Sequence, residues 1–350
     1  MREGGEKMKR TEYGHAVSCV GAVIGAGFAS GREVIVFFTQ YGVHAVWLTM
    51  LAVVLMAGLC ALCIKASQKT GKMNSWTDLF EHSFVPSAAS FMLLTLTSGA
   101  MLSAAGHMTA LLWCSDMAYP AGVLGSLLTA WLIGYRSIKP LGWVSAVLTL
   151  MLLIALMICL SAVPPAYADM RMKPPASALV KAAFRATGYA SMNMTLAIGV
   201  VSRGGIDTGV WKTAGLFGWL MAILLLISNS LYGRHPELVD TAFPIVRLLA
   251  EYGRTGYFFS IWLLYLSILT TLISVIYALR SAVEAYTESW SIRILLVITV
   301  PLAVSKVGFS DIVERLYAPA GLICLLIVFL PLLFKGFCRQ EKQLFLDISK

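Results

Sequence analysis

Charge is what this sequence has least of. Asp, Glu, Lys and Arg make up 13% of its 350 residues, against roughly a quarter in a soluble domain. Apolar residues reach 58% and mean hydropathy is +0.78. That composition excludes the two or three soluble domains the length alone would allow. A disordered chain and a disulfide-stapled secreted domain are excluded as well. The seven cysteines are scattered, and six fall inside or at the ends of apolar runs. Cys60-Ala-Leu-Cys63 spells C-x-x-C within such a run, where cysteine serves as a small buried hydrophobe rather than as a redox or metal site. A nucleotide-binding loop, a Ser-His-Asp set and a metal cluster are all missing, so the sequence supports neither an enzyme nor an organic cofactor. The net charge of +9 has no basic cluster interleaved with aromatics, which argues against nucleic acid. No clear signal peptide precedes the first apolar run. That run follows a basic stretch and is too long for a signal core.

What is present is a series of apolar runs. A membrane span needs about 20 apolar residues, and ten segments meet or approach that. They are 14–39, 43–65, 87–113, 119–135, 141–163, 177–202, 208–231, 255–280, 290–305 and 312–334. The expectation is an all-α integral membrane protein, one transmembrane domain over 1–350, with about ten helices. Hydrophilic stretches are short, at 66–86, 164–176, 232–254 and the termini. In 232–254, Leu238, Phe243, Val246, Leu249 and Ala250 recur at helical spacing, which predicts a short amphipathic helix over the bundle. With the N-terminus inside, 17 of the 27 Lys and Arg fall on the inner side and 9 on the outer, Arg32 lying within the first span. Basic residues anchor inner loops, so both termini are expected in the cytoplasm and the chain in the plasma membrane.

Two spans carry residues that do not suit a helix in lipid. The first contains Gly21-Ala-Val-Ile-Gly25-Ala-Gly27-Phe-Ala-Ser-Gly31, followed at once by Arg32 and Glu33. Each glycine costs about 1 kcal/mol against alanine in a helix interior. Close helix packing is the ordinary reason for such glycines. Adjacent charges inside a span point instead to a cavity or a partner, and a helix that unwinds and restarts satisfies both. The sixth span holds a polar patch, Ala186-Thr-Gly188-Tyr189-Ala-Ser191-Met-Asn193-Met-Thr195. Those side chains either hydrogen-bond a neighbouring helix or mark a second break. Breaks in spans one and six of ten are the pattern of a five-plus-five inverted repeat, here 11–163 and 177–334. Unwound backbone must find partners, because lipid offers none. Half-helix N-termini favour an anionic group and half-helix C-termini a cation.

Val23-Ile-Gly-Ala-Gly-Phe-Ala-Ser-Gly-Arg-Glu33 resembles the first-helix signature of the YkvI-type bacterial membrane proteins. More distantly it is similar to the neurotransmitter:sodium symporters and the amino acid–polyamine–organocation transporters, which have the LeuT fold. That resemblance implies alternating access with broken helices 1 and 6. It implies sodium at the carbonyls of Gly21 and Ile24 and at Ser267, Thr270 and Thr271 of the eighth span. It also implies a solute carboxylate on the amides of Ala26 and Gly27, with Gly25, Phe28, Tyr189, Ser191 and Asn193 around the solute. Spacing i, i+3, i+4 puts Ser267, Thr270 and Thr271 on one helix face, although spanning threonines also bond back to their own helix.

The sequence departs from the symporters in two ways. Phe28 stands where an asparagine binds a second sodium, which predicts at most one ion. Arg32 is offset by one residue from the gate arginine. It has Asp311 and Glu314, the solute, or the adjacent Glu33 to pair with, and these four residues form the expected gate. Residues 141–163 hold no Lys, Arg, Asp, Glu or His, which favours sodium over proton coupling through that helix. His107 in the third span is read as an interhelical hydrogen bond, a proton relay or a solute contact. Trp76 and Asp78 are expected on an inner surface segment. The expected function is sodium-coupled symport of a small carboxylate-bearing solute such as an amino acid. The alternative is a nutrient-sensing receptor subunit of the same fold, which would need protein partners.

Overall fold

The computed structural model describes residues 2–71, 76–80, 83–136, 141–162, 176–204 and 208–334. The expected connection at 164–176 lies outside the described residues, but for the start of one helix, as does the C-terminal tail. Among the described residues there is no strand, and nearly everything is helix. In chain order these are α1 (Arg2–Val23), α2 (Ala26–Ser30), α3 (Arg32–Phe37), α4 (Ala45–Thr70), α5 (Phe84–Trp113), α6 (Tyr119–Arg136), α7 (Leu141–Ala162), α8 (Ala176–Gly204), α9 (Val210–Tyr232), α10 (Pro244–Ala250) and α11 (Gly253–Glu284). Two composite helices follow. Trp290–Ser305 joins α12 (Trp290–Ile294) to α13 (Val300–Ser305) through a π-helical turn, Leu295–Thr299. Phe309–Phe334 contains α14 (Phe309–Asp311) and α15 (Tyr317–Cys324), with π-helical stretches at Ile312–Leu316 and Leu325–Phe329.

Each of the ten apolar segments falls on helix. Among the described residues, six helices are long and apolar enough to cross a membrane, and the protein is a multi-pass membrane protein. Trp290–Ser305 and Val147–Cys159 are shorter apolar helices. On α6, Leu124, Leu128 and Leu132 are all exposed. Their i, i+4 spacing makes one apolar stripe facing outward, as lipid requires. Many polar residues in the spans bond back within their own helix. Thr49 donates to the Ala45 carbonyl at 2.8 Å, Thr97 to Leu93 at 3.0 Å and Ser228 to Leu224 at 2.8 Å. Such back-bonding removes a buried hydroxyl's demand for a partner.

The core is built around α8, which packs against α4, α15 and α1, while α11 packs against α5, α6, α10 and α2. The stretch 232–254 forms a 3-10 turn at Pro236–Leu238 and the seven-residue helix α10. Leu238, Phe243, Val246 and Leu249 are buried there as the spacing predicts, and Ala250 is exposed. Asp78 lies on a short 3-10 turn, Trp76–Phe80. Cys60 and Cys63 are free and buried.

The expected second break is absent. α8 runs unbroken from Ala176 to Gly204. Two members of its polar patch bond inside the helix: Asn193 Nδ2 donates to the Tyr189 carbonyl at 3.0 Å and Thr195 Oγ1 to the Ser191 carbonyl at 2.8 Å. Gly188 has a packing role. A side-chain carbon there would run into the Ala318 carbonyl, and one at Gly321 into the Gly188 carbonyl. Two bare backbones cross at that point, the close approach that small residues permit.

Candidate functional site: the broken first span

The first span breaks where the glycines are densest. α1 ends at Val23, and Gly25 adopts extended backbone, φ −93° and ψ −171°. Gly25 N–H turns back to the Val23 carbonyl at 2.8 Å, and Ala26 N–H leaves the helix for Thr271 Oγ1 of α11 at 3.3 Å. Among the described residues, the carbonyls of Gly21 and Ile24 therefore accept no helical N–H. A side-chain carbon on Gly25 would lie 3.1 Å from Thr271 Oγ1, so the glycine lets α11 approach.

A second turn follows. α2 stops at Gly31, which takes φ +82° and ψ −13°. An L side chain resists that region, and here it would also strike the Tyr232 hydroxyl of α9. Ser30 Oγ donates to the Gly27 carbonyl at 2.7 Å and accepts the Arg32 N–H at 3.1 Å, closing the turn.

The turn sends Arg32 and Glu33 in different directions. Arg32 Nη2 pairs with Glu314 Oε2 at 3.0 Å. Its Nη1 donates to the Val239 carbonyl and, at 3.4 Å, to the Thr241 carbonyl. Of the pairings open to Arg32, Glu314 is the one formed; Asp311 pairs with Arg315 at 3.3 Å instead. Glu33 folds back over α2, and its carboxyl lies so close to Gly27 that a side-chain carbon on Gly27 would overlap it.

The eighth apolar span supplies the facing wall. Thr270 Oγ1 and Thr271 Oγ1 both donate to the Ser267 carbonyl, at 3.0 and 2.9 Å. Their lone pairs stay available to a cation or a donor. Tyr189 from α8 is fully buried, its ring 5.0 Å from Phe37 and 5.1 Å from Phe38. The hydroxyls of Tyr189, Ser191 and Tyr317 are buried with no hydrogen-bond partner among the described residues. Phe28 is buried on α2.

Thus Gly25 and Ala26 meet Thr271 at the first break, with Gly21 and Ile24 just before it in the chain and Ser267 and Thr270 on the same turn of α11. Gly27 and Glu33 meet at the second turn, beside Tyr189. Asn193 is turned to its own helix. Tyr317, Tyr232 and Arg185 stand in no motif that would have singled them out. Arg185 donates to the Glu314 carbonyl at 2.6 Å and to Tyr41 Oη at 3.3 Å. His107 is exposed and packs edge-on to Tyr119 at 5.0 Å. It lines a surface hollow of about 290 Å³ with Cys114, Asp116 and Tyr257, away from the break.

Over most of its length the chain is similar to two known proteins. Superposed on the solved structure of MhsT in complex with L-phenylalanine, it covers 89% of this chain and 88% of MhsT, with a TM-score of 0.58 and 14% identity. The fold is that of MhsT. In sequence, the chain is 22% identical over 328 residues to YkvI of Bacillus subtilis (strain 168), described as an uncharacterized membrane protein. That match spans 87% of this chain and 91% of YkvI. No family model matches.

Proposed function

We propose that this protein is a secondary transporter that carries a small solute of the amino-acid class together with one sodium ion. The observation that carries the reading is the first break, held open by α11 through Ala26 N–H and Thr271 Oγ1. Gly21 and Ile24 carbonyls free of helical donors lie on one side, and Ser267, Thr270 and Thr271 oxygens on the other. Neutral hard oxygens at a discontinuous helix suit a co-transported alkali cation. The fold shared with MhsT supports a solute beside that ion, and the L-phenylalanine bound there sets the first solute to try.

In this reading the ten apolar segments are ten spans in two repeats, with both termini cytoplasmic. Ion and solute bind at the break together, and Arg32 with Glu314 closes one end of the pathway. Arg32 also grips the 239–241 connection, so parting the pair frees that connection to move.

The test is uptake into proteoliposomes. Purified protein should accumulate radiolabelled L-phenylalanine, or another amino acid from a panel, above equilibrium under an inward sodium gradient. Accumulation should vanish in choline. Binding without any accumulation would refute a carrier and favour a receptor subunit. Flux indifferent to the gradient would refute coupling.

A further inference from the structure

Glu33 is the least explained group in the molecule. It is 5% exposed, inside a membrane protein, and among the described residues no Lys, Arg or His forms an ion pair with it. The arginines on α3 and on the elements α8 and Ile312–Leu316 packed against it are turned elsewhere, Arg32 Nε keeping no partner among the described residues. Arg32 is turned to Glu314 and to two backbone carbonyls. Arg185 is turned to Tyr41 and the Glu314 carbonyl, and Arg315 to Asp311. A buried carboxyl without a cation lacks the partner that would let it carry charge, and ionisable groups inside membranes mark sites for that reason.

Its position is equally specific. The carboxyl lies flush on the bare backbone of Gly27, where a solute carboxylate would have to bind to use the α2 amides. Two carboxylates at contact distance repel. The first of those amides, Ala26 N–H, already has Thr271 Oγ1 as acceptor. Around Glu33 the chemistry is that of a cation site. Tyr189 and Tyr317 lie within electrostatic reach of it, with Asn193 and Thr97 the polar side chains beside their buried hydroxyls, neither in hydrogen-bonding geometry. Phe37 and Phe38 pack on Tyr189 and add aromatic surface. An ammonium group has three N–H donors and is attracted to aromatic faces. One carboxylate and two phenol oxygens match that number. The neutral oxygens near Thr271 form a separate set suited to a bare ion.

We propose that the site recognises its solute by the ammonium end, on Glu33, and that a solute carboxylate is dispensable. This rests on the solute site proposed above, but binding in detergent is independent of transport. Binding without uptake would refute the carrier and leave this proposal standing.

The experiment compares matched probes on the full-length protein in detergent with sodium. They are L-phenylalanine, phenethylamine and 3-phenylpropionate, then L-leucine, isoamylamine and 4-methylpentanoate, read by thermal unfolding. A ligand that binds only the folded state raises the midpoint. Within at least one series the amine should raise it and the acid should not. Glu33→Gln should weaken amine binding by at least about tenfold, the scale of one charged hydrogen bond. Three results would overturn the proposal: acids that stabilise while amines do not, no shift from either amine, or unchanged amine affinity in Glu33→Gln. A shift from sodium alone that Glu33→Gln abolishes would make Glu33 an ion ligand and also overturn it. The wild-type comparison of amine with acid needs no variant, so a poorly folding Glu33→Gln does not remove the test.

Discussion

Replacing Thr271 by valine removes one hydroxyl with little change in volume, and the structure assigns that hydroxyl two bonds. It accepts Ala26 N–H at 3.3 Å and donates to the Ser267 carbonyl at 2.9 Å. The Ser267 carbonyl keeps a second donor, Thr270, at 3.0 Å. Ala26 N–H keeps nothing. An orphaned buried amide costs about 1–3 kcal/mol, so Thr271→Val should lose about that much stability without any ion present. Thr270→Val loses only the shared bond to Ser267 and should cost about 1 kcal/mol or less. Sodium then separates structure from binding. At a concentration of 100 times Kd, an ion bound only by the folded state adds about 2.7 kcal/mol, and both variants should lose most of that. The assay is thermal unfolding in detergent, in sodium and in choline. Equal destabilisation of both variants in choline would refute the hydrogen-bond argument. A full sodium response in both would refute the ion site.

Three further outcomes follow from the same geometry. Gly31→Ala should destabilise by about 2–4 kcal/mol, combining left-handed backbone strain with a collision against Tyr232. Adding Tyr232→Phe should recover only the collision, as thermal unfolding would show. Gly188→Ala should cost about 1–3 kcal/mol, because α8 and α15 must separate. A neutral result would mean the helices cross less tightly than described. Glu314→Gln should cost under about 1 kcal/mol, since the Glu314 side chain is half exposed. Arg32→Met should cost more, about 2–4 kcal/mol, by freeing the 239–241 carbonyls as well. Reversing that order in thermal unfolding would contradict the grip on the connection.

The sequence shows the first break because its cause is local. Four glycines within eleven residues remove side-chain support from the helix itself, whatever surrounds it. The continuity of the sixth span is hidden in the sequence because its cause is distant. Gly188 beside polar residues has the same composition as a break, and only Ala318 and Gly321, more than a hundred residues away, make it a packing glycine. Ser191, Asn193 and Thr195 left the choice open, and back-bonding to α8 decided it for Asn193 and Thr195. The pairing of Arg32 was narrowed by composition and settled by the turn at Gly31. The seat of Glu33 on Gly27 was illegible, because adjacent residues diverge only once Gly31 takes its positive φ.

The continuity of α8 has a consequence for how this molecule could change over evolution. A helix that keeps its ladder intact has no unpaired backbone carbonyl or amide to lend beside Tyr189 and Ser191, so a solute meeting that stretch of α8 meets side chains. Those side chains, Tyr189 and Ser191 among them, can be exchanged one codon at a time. The opposite wall is backbone at Gly25, Gly27 and Gly31, where a side chain would crowd Thr271, Glu33 and Tyr232 in turn. Diversification among close relatives is therefore expected to accumulate on the α8 face, while the glycine wall stays constant.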